Sequence, residues 1–194
     1  MKKALIKYIA KNFQYFRKVI FRYLSENVTI VGKPIINQPT LFLGKGIIEF
    51  GEKVNIGYYP SPFYFSGNAH FEARTINSKI TIGNNVYFNN NFVVISEQSV
   101  TLGNNLLIGT NVEIYDSDFH NVNPNLRFGG HPYLQDPVVI EDNVWIGSNV
   151  KILKGVCIGR NSVISNGAVV TKNIPANVVA GGIPAVIIKE IGNE

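Results

Sequence analysis

The chain has 194 residues, 45% of them hydrophobic, which suits one domain with a modest appendage. Its net charge of +5 is uneven: residues 1–25 hold seven Lys/Arg and no acid, leaving 11 basic and 13 acidic residues elsewhere, a net of −2. The basicity therefore belongs to the N-terminus, no nucleic-acid motif accompanies it, and the single cysteine, Cys157, excludes an intrachain disulfide and fits a reducing compartment, the cytoplasm.

Leu5, Ile9, Phe13, Phe16, Ile20 and Leu24 recur at helical spacing with lysines and arginines mainly between them. This predicts a basic amphipathic helix over 1–25. It lacks the apolar stretch and small-residue cleavage site of a signal peptide, and it is too charged to span a bilayer. Two roles are open to it: packing on the body or across a subunit interface, or a peripheral contact of residues 1–24 with the inner membrane face or an anionic glycan. Residues 26–70 are irregular, with LFLGKGIIEFGEKVNIG reading as degenerate first repeats. YYPSPFYFSGN (58–68) reads as an aromatic, proline-broken loop, either a cap or a sugar-stacking surface.

A period of six then takes over. Aliphatic residues fall at Ile140, Ile146, Ile152, Ile158, Ile164 and Val170, each followed three positions later by Asn143, Asn149, Gly155, Asn161, Gly167 and Asn173. Ile82/Asn85, Phe88/Asn91, Leu102/Asn105 and Ile108/Asn111 keep the same rule. Six is neither the helical period nor the two of a simple strand, so it signals stacked repeats. Each repeat is a short strand and a corner. The corner calls for φ > 0, which Gly takes freely and Asn tolerates best among the others. Gly after the aliphatic residue, as at Gly83, Gly103, Gly109, Gly147 and Gly159, marks a place where a Cβ would crowd the bend. Three such sides close an 18-residue triangular coil, and stacked coils share one core.

The beat stops at Ile114 and resumes at Ile140, a gap of 26 residues. The intervening YDSDFHNVNPNLRFGGHPYLQDP (115–137) contains His120 and His131, two of the three histidines, with Asp116, Asp118 and Asp136. A long loop inside a compact repeat array is a functional candidate. Imidazole suits proton abstraction from a hydroxyl near neutral pH. Asp118 or Asp116 is placed in sequence to orient it, a role a backbone carbonyl would fill equally well.

The run VVIEDNVWIGSNVKILKGVCIGRNSVISNGAVVTKNIPANVVAGGIPAVIIKEI (138–191) resembles the hexapeptide-repeat acyltransferase family, with weaker repeats extending the likeness back to residue 41. The resemblance implies an all-β fold: a left-handed parallel β-helix over 26–184 with the catalytic loop 115–137 protruding from it. The N-terminal amphipathic helix of 1–25 precedes it, and a short C-terminal helical segment, 185–194, follows. Within the family the likeness is to sugar and polysaccharide O-acetyltransferases, in which DSDFH makes His120 the catalytic base, with Asp118 beside it. Trp145, in VWIGSN, matches a tryptophan near the base and the acyl donor. Ser148, Ser165, Asn166, Thr171, Lys172, Pro184 and Lys189 match positions lining an acetyl-CoA site. Ser165–Ala168 departs from the family's more usual glycine-rich text, and Val186 stands where relatives often carry a further basic residue.

The implied activity is acetyl transfer from acetyl-CoA, as cosubstrate, to a carbohydrate hydroxyl by a homotrimer without a metal. The acceptor is a cell-surface polysaccharide, its lipid-linked precursor or a sialic acid-type sugar. Alternatives are an antibiotic or amino-sugar acetyltransferase, or a non-catalytic structural solenoid. Carbonic anhydrases of similar repeat bind zinc through three histidines; His70, His120 and His131 lack that family's spacing. The chain shows no phosphate-binding P-loop, dinucleotide fingerprint or nucleophile elbow.

Overall fold

The computed structural model describes residues 2–26 and 29–192. Three sheets wind about one core. The first stacks Thr29–Val31, Ile47–Phe50, Lys79–Ile82, Ser99–Leu102, Val138–Ile140 and Cys157–Ile158 in parallel. The second runs from Ile35–Ile36 through Tyr87–Phe88, Leu107–Ile108, Trp145–Ile146 and Val163–Ile164 to Val178–Gly182 and Ala185–Glu190. The third contains Thr40–Gly44, Ala69–Ala73, Val93–Ser96, Glu113–Tyr115, Lys151–Ile152 and Val169–Val170. The chain visits the sheets in turn, forming the expected left-handed parallel β-helix.

The register shows what sets coil width. Val139 pairs with Cys157, Trp145 with Val163 and Lys151 with Val169, a step of 18 residues. Earlier, Lys79 pairs with Ser99, Tyr87 with Leu107 and Val93 with Glu113, a step of 20. The two extra residues fall at the corner Ser96–Gln98, between the third and first sheets. Phe42, Phe50, Phe71, Phe88 and Phe92 fill the early coils with touching rings, whereas the later coils are filled by valine and isoleucine. Burial of these side chains is the main stabilising term, at about 25 cal/mol per Å² of apolar surface.

The corners explain the asparagines. Asn85, Asn105, Asn143, Asn161 and Asn177 all have φ between 57° and 61°. Their side-chain amides form a continuous ladder, each Nδ2 donating to the next Oδ1 at 2.7–3.1 Å. Asparagine thus meets the backbone requirement and adds coil-to-coil bonds that glycine lacks. At Gly109 a Cβ would lie 2.6 Å from the Gly147 carbonyl carbon, so no side chain fits there.

One expectation is corrected. Ala185–Glu190 is not helical; it pairs antiparallel with Val178–Gly182 and extends the second sheet. Val186, Ile187 and Ile188 are β-branched, and the open edge of the preceding strand offers them backbone partners. The N-terminal helix, α1 (Lys2–Tyr23), forms as expected, but its apolar stripe does not face the coils. Leu5, Ile9, Phe13, Phe16, Ile20 and Leu24 are 46–68% exposed, whereas Ala10 and Gln14 are buried. Polar groups hold the helix: the Gln14 amide donates to Tyr64 O, Arg17 Nη2 to Gly67 O at 2.8 Å, and Lys18 Nζ to Ile36 O at 3.1 Å. Phe65 meets Phe13 edge-on at 5.8 Å. The aromatic loop 58–68 is therefore the cradle of α1. Among the described residues no helix is long and apolar enough to cross a membrane.

Candidate active site

The loop grows from the same prism edge that carries the widened corners. Asp116 forms its root. Its side chain is completely buried and accepts from Ser96 Oγ at 2.7 Å, Glu97 N at 2.8 Å and Gln98 N at 2.9 Å. Asp116 therefore caps the corner of the coil below. Ser117 and Gln135 pair as a short antiparallel bridge, with Asp118 N donating to Leu134 O and Asp136 N to Asp116 O. This neck braces both strands of the loop.

His120 lies just beyond the neck and is exposed. Among the described residues its imidazole makes no hydrogen bond to protein, which leaves both ring nitrogens without a protein partner. Asp118 does not hold the ring: its Oδ1 lies 2.7 Å from Lys154 Nζ. His131, in the same loop, is also exposed. Among the described residues no group of His, Cys, Asp or Glu side chains is arranged to hold a metal ion.

Beside the neck, the outer face of the third sheet carries a polar network unmarked in the sequence reading. Its only signal was alternation, His70 and Glu72 at every second position of the strand Ala69–Ala73 and Arg74 just past its end. His70 Nε2 lies 3.0 Å from Glu72 Oε2, and Arg74 Nε donates to Glu72 Oε1 at 2.7 Å. Arg74 also reaches Glu97 at 3.3 Å. Partial burial raises the Glu72 carboxyl pKa, but the Arg74 and His70 hydrogen bonds outweigh it and hold the group below its ordinary value. Tyr115 donates to Glu113 Oε2 at 3.0 Å, and burial, with the Glu113 charge, pushes its pKa up to about 12.

Trp145 stands on the second sheet, outward and 55% exposed. Its cleft of about 480 Å³ is also lined by Tyr58, Tyr87, Asn89, Leu107 and Gly109. The expected donor-site residues divide in two. Ser148, Ser165 and Asn166 share the edge between the second and third sheets, where Asn166 Oδ1 accepts from Ser148 N at 2.7 Å and Ser148 Oγ from Thr110 N at 3.2 Å. Thr171 and Lys172 follow the strand Val169–Val170 onto the next edge, while Pro184 and Lys189 belong to the terminal hairpin, all exposed. Cys157 is half-buried on the first sheet, its thiol pKa raised by burial and by Glu141.

The topology separates His120 from the cleft. The loop leaves the edge between the third and first sheets; Trp145 lies on the second sheet, the side opposite that edge in a three-sided coil.

A family model described as bacterial transferase hexapeptide (six repeats) matches residues 137–172. The galactoside O-acetyltransferase of Lactococcus lactis is 39% identical over 170 residues, covering 86% of this chain and 73% of the relative. That of Escherichia coli is 45% identical over 132 residues, covering 68% of this chain and 60% of the relative. The chain spans 57% of the Saccharomyces cerevisiae protein YJL218W, to which it is 46% identical over 114 residues (59% of this chain). Among solved structures, a galactoside acetyltransferase in complex with coenzyme A superposes with a TM-score of 0.55 at 28% identity, over 94% of this chain and 79% of that one.

Proposed function

Since this chain belongs to the hexapeptide-repeat transferase family together with the galactoside O-acetyltransferases, we propose that it transfers an acetyl group from acetyl-CoA to a carbohydrate hydroxyl, with His120 as general base. The observation that carries this reading is the exposed, unpaired imidazole of His120 on a braced loop, in a fold whose relative is seen with coenzyme A.

His120 takes the acceptor hydroxyl proton as that oxygen attacks the thioester carbonyl. The tetrahedral oxyanion is held by backbone N–H donors. The oxyanion collapses, the C–S bond breaks, and the imidazolium returns the proton to the departing thiolate. Both substrates meet in one cleft, so no acyl-enzyme is required. Trp145 and the edge bearing Ser148, Ser165 and Asn166 form the donor side, with Lys172 and Lys189 as point charges for phosphate.

A homotrimer completes the site. One chain places His120 and Trp145 on opposite parts of the coil, so the loop of one copy serves the cleft of its neighbour. Cyclic closure is the usual outcome of such head-to-tail contacts. The exposed apolar stripe of α1, with its basic residues, supports a peripheral position at an anionic surface on the cytoplasmic side. A membrane- or polymer-attached glycan is then the natural acceptor.

The test is thiol release from acetyl-CoA across a panel of sugars that includes galactosides, with mass spectrometry of the products. The His120→Ala enzyme should lose on the order of 10²- to 10⁴-fold in rate while still binding coenzyme A. Near-normal turnover in that variant, or no release with any carbohydrate, would overturn the proposal.

A further inference from the structure

The chain turns at residue 119 to present His120, and the turn uses an unexpected residue. Phe119 has φ 59°, in the left-handed region. Among the described residues, eleven non-glycine positions take positive φ and eight of them are asparagines, the residue suited to that region. A bulky side chain persists there only when its surroundings over-determine it, and such residues concentrate at functional sites.

The surroundings do so here. The Arg74 guanidinium lies 4.7 Å from the Phe119 ring centroid. The Tyr115 ring meets Phe119 edge-on at 5.8 Å. Phe119 N donates to Ser117 Oγ at 3.0 Å, tying the backbone to the loop neck. Arg74 is itself fixed, by two bonds to Glu72 at 2.7 and 3.3 Å and one to Glu97 at 3.3 Å. Glu97 belongs to the corner capped by Asp116. A rigid connection thus runs from the coil through Arg74 to the Phe119 ring, one residue before His120.

We infer that Arg74 and Phe119 form a clamp that fixes the direction of the His120 imidazole, making both positioning residues for proton transfer. The inference rests on His120 being the base. An asparagine or glycine at position 119 would adopt the turn more easily but would give the guanidinium no ring to hold. The clamp trades local backbone comfort for a fixed base, because a displacement of about 1 Å costs on the order of 10²-fold in rate.

The experiment uses the full chain with Arg74→Gln, Arg74→Lys and Phe119→Leu, each alone and combined with His120→Ala. Arg74→Gln and Phe119→Leu should each lower kcat about tenfold to hundredfold with little change in the KM for acetyl-CoA. Their kcat–pH plateau should drop at every pH. Arg74→Lys should recover part of the loss, because an ammonium still attracts the ring face. Neither change should lower the residual rate of His120→Ala. Wild-type kcat in both Arg74→Gln and Phe119→Leu, alongside an inactive His120→Ala, would overturn the clamp and leave the base standing. Near-normal turnover in His120→Ala would remove the base, and the clamp with it.

Discussion

Lys154 Nζ stands 2.7 Å from Asp118 Oδ1, so the acid two residues before His120 is engaged by a coil lysine. Both side chains are 28% exposed, and such a pair contributes about 0–1 kcal/mol. Asp118→Asn should therefore lower stability slightly and turnover by less than about tenfold, through a loosened loop. A triad-type orienting acid would instead cost on the order of 10⁴-fold. Steady-state kinetics of this one variant decide between the two roles, and a loss of thousands-fold would return Asp118 to the imidazole in the assembled enzyme.

Asp116 calls for the opposite outcome. Its buried carboxylate satisfies three donors, Ser96 Oγ, Glu97 N and Gln98 N. Asp116→Ala leaves them without a partner and should cost about 3 kcal/mol, read as a melting temperature about 6–12 °C lower. An unchanged melting temperature would show that the corner does not depend on this residue.

Trp145→Ala should impair transfer more than it impairs folding, because the indole is exposed beside the donor edge and fills no core. The expected result is a raised KM for acetyl-CoA with the oligomer intact in sedimentation. If the variant dissociates to monomers and melts early, the indole belongs to the subunit contact instead.

Helix α1 should position the enzyme and perform no chemistry. Removing residues 1–24 should spare transfer to a small soluble sugar and weaken it on a polymeric or vesicle-bound acceptor. The difference should shrink in high salt, since exposed charges are screened beyond about 10 Å at 0.1 M. Equal activity of the truncated and intact enzymes on both acceptors at every salt level would sink this idea. An insoluble or dissociated truncation would assign the stripe to a neighbouring subunit.

The sequence by itself determined everything that repeats. A period of six names the triangular coil, asparagine at the bends follows from φ near 60°, and the break after Ile114 exposes the loop with His120. These are local rules, enforced within a few residues and repeated until the pattern is unmistakable. The tertiary structure decided what occurs once and at long range. The side of α1 that docks depends on Gln14 and Arg17 finding carbonyls at Tyr64 and Gly67. The C-terminal strand depends on the free edge left by Val178–Gly182. Asp118 is bound by Lys154, 36 residues away, and Phe119 by Arg74, 45 residues away. A hydrogen bond or a ring contact between such distant positions leaves no period in the chain. It exists only because the stacking of the coils brings the two side chains to the same edge.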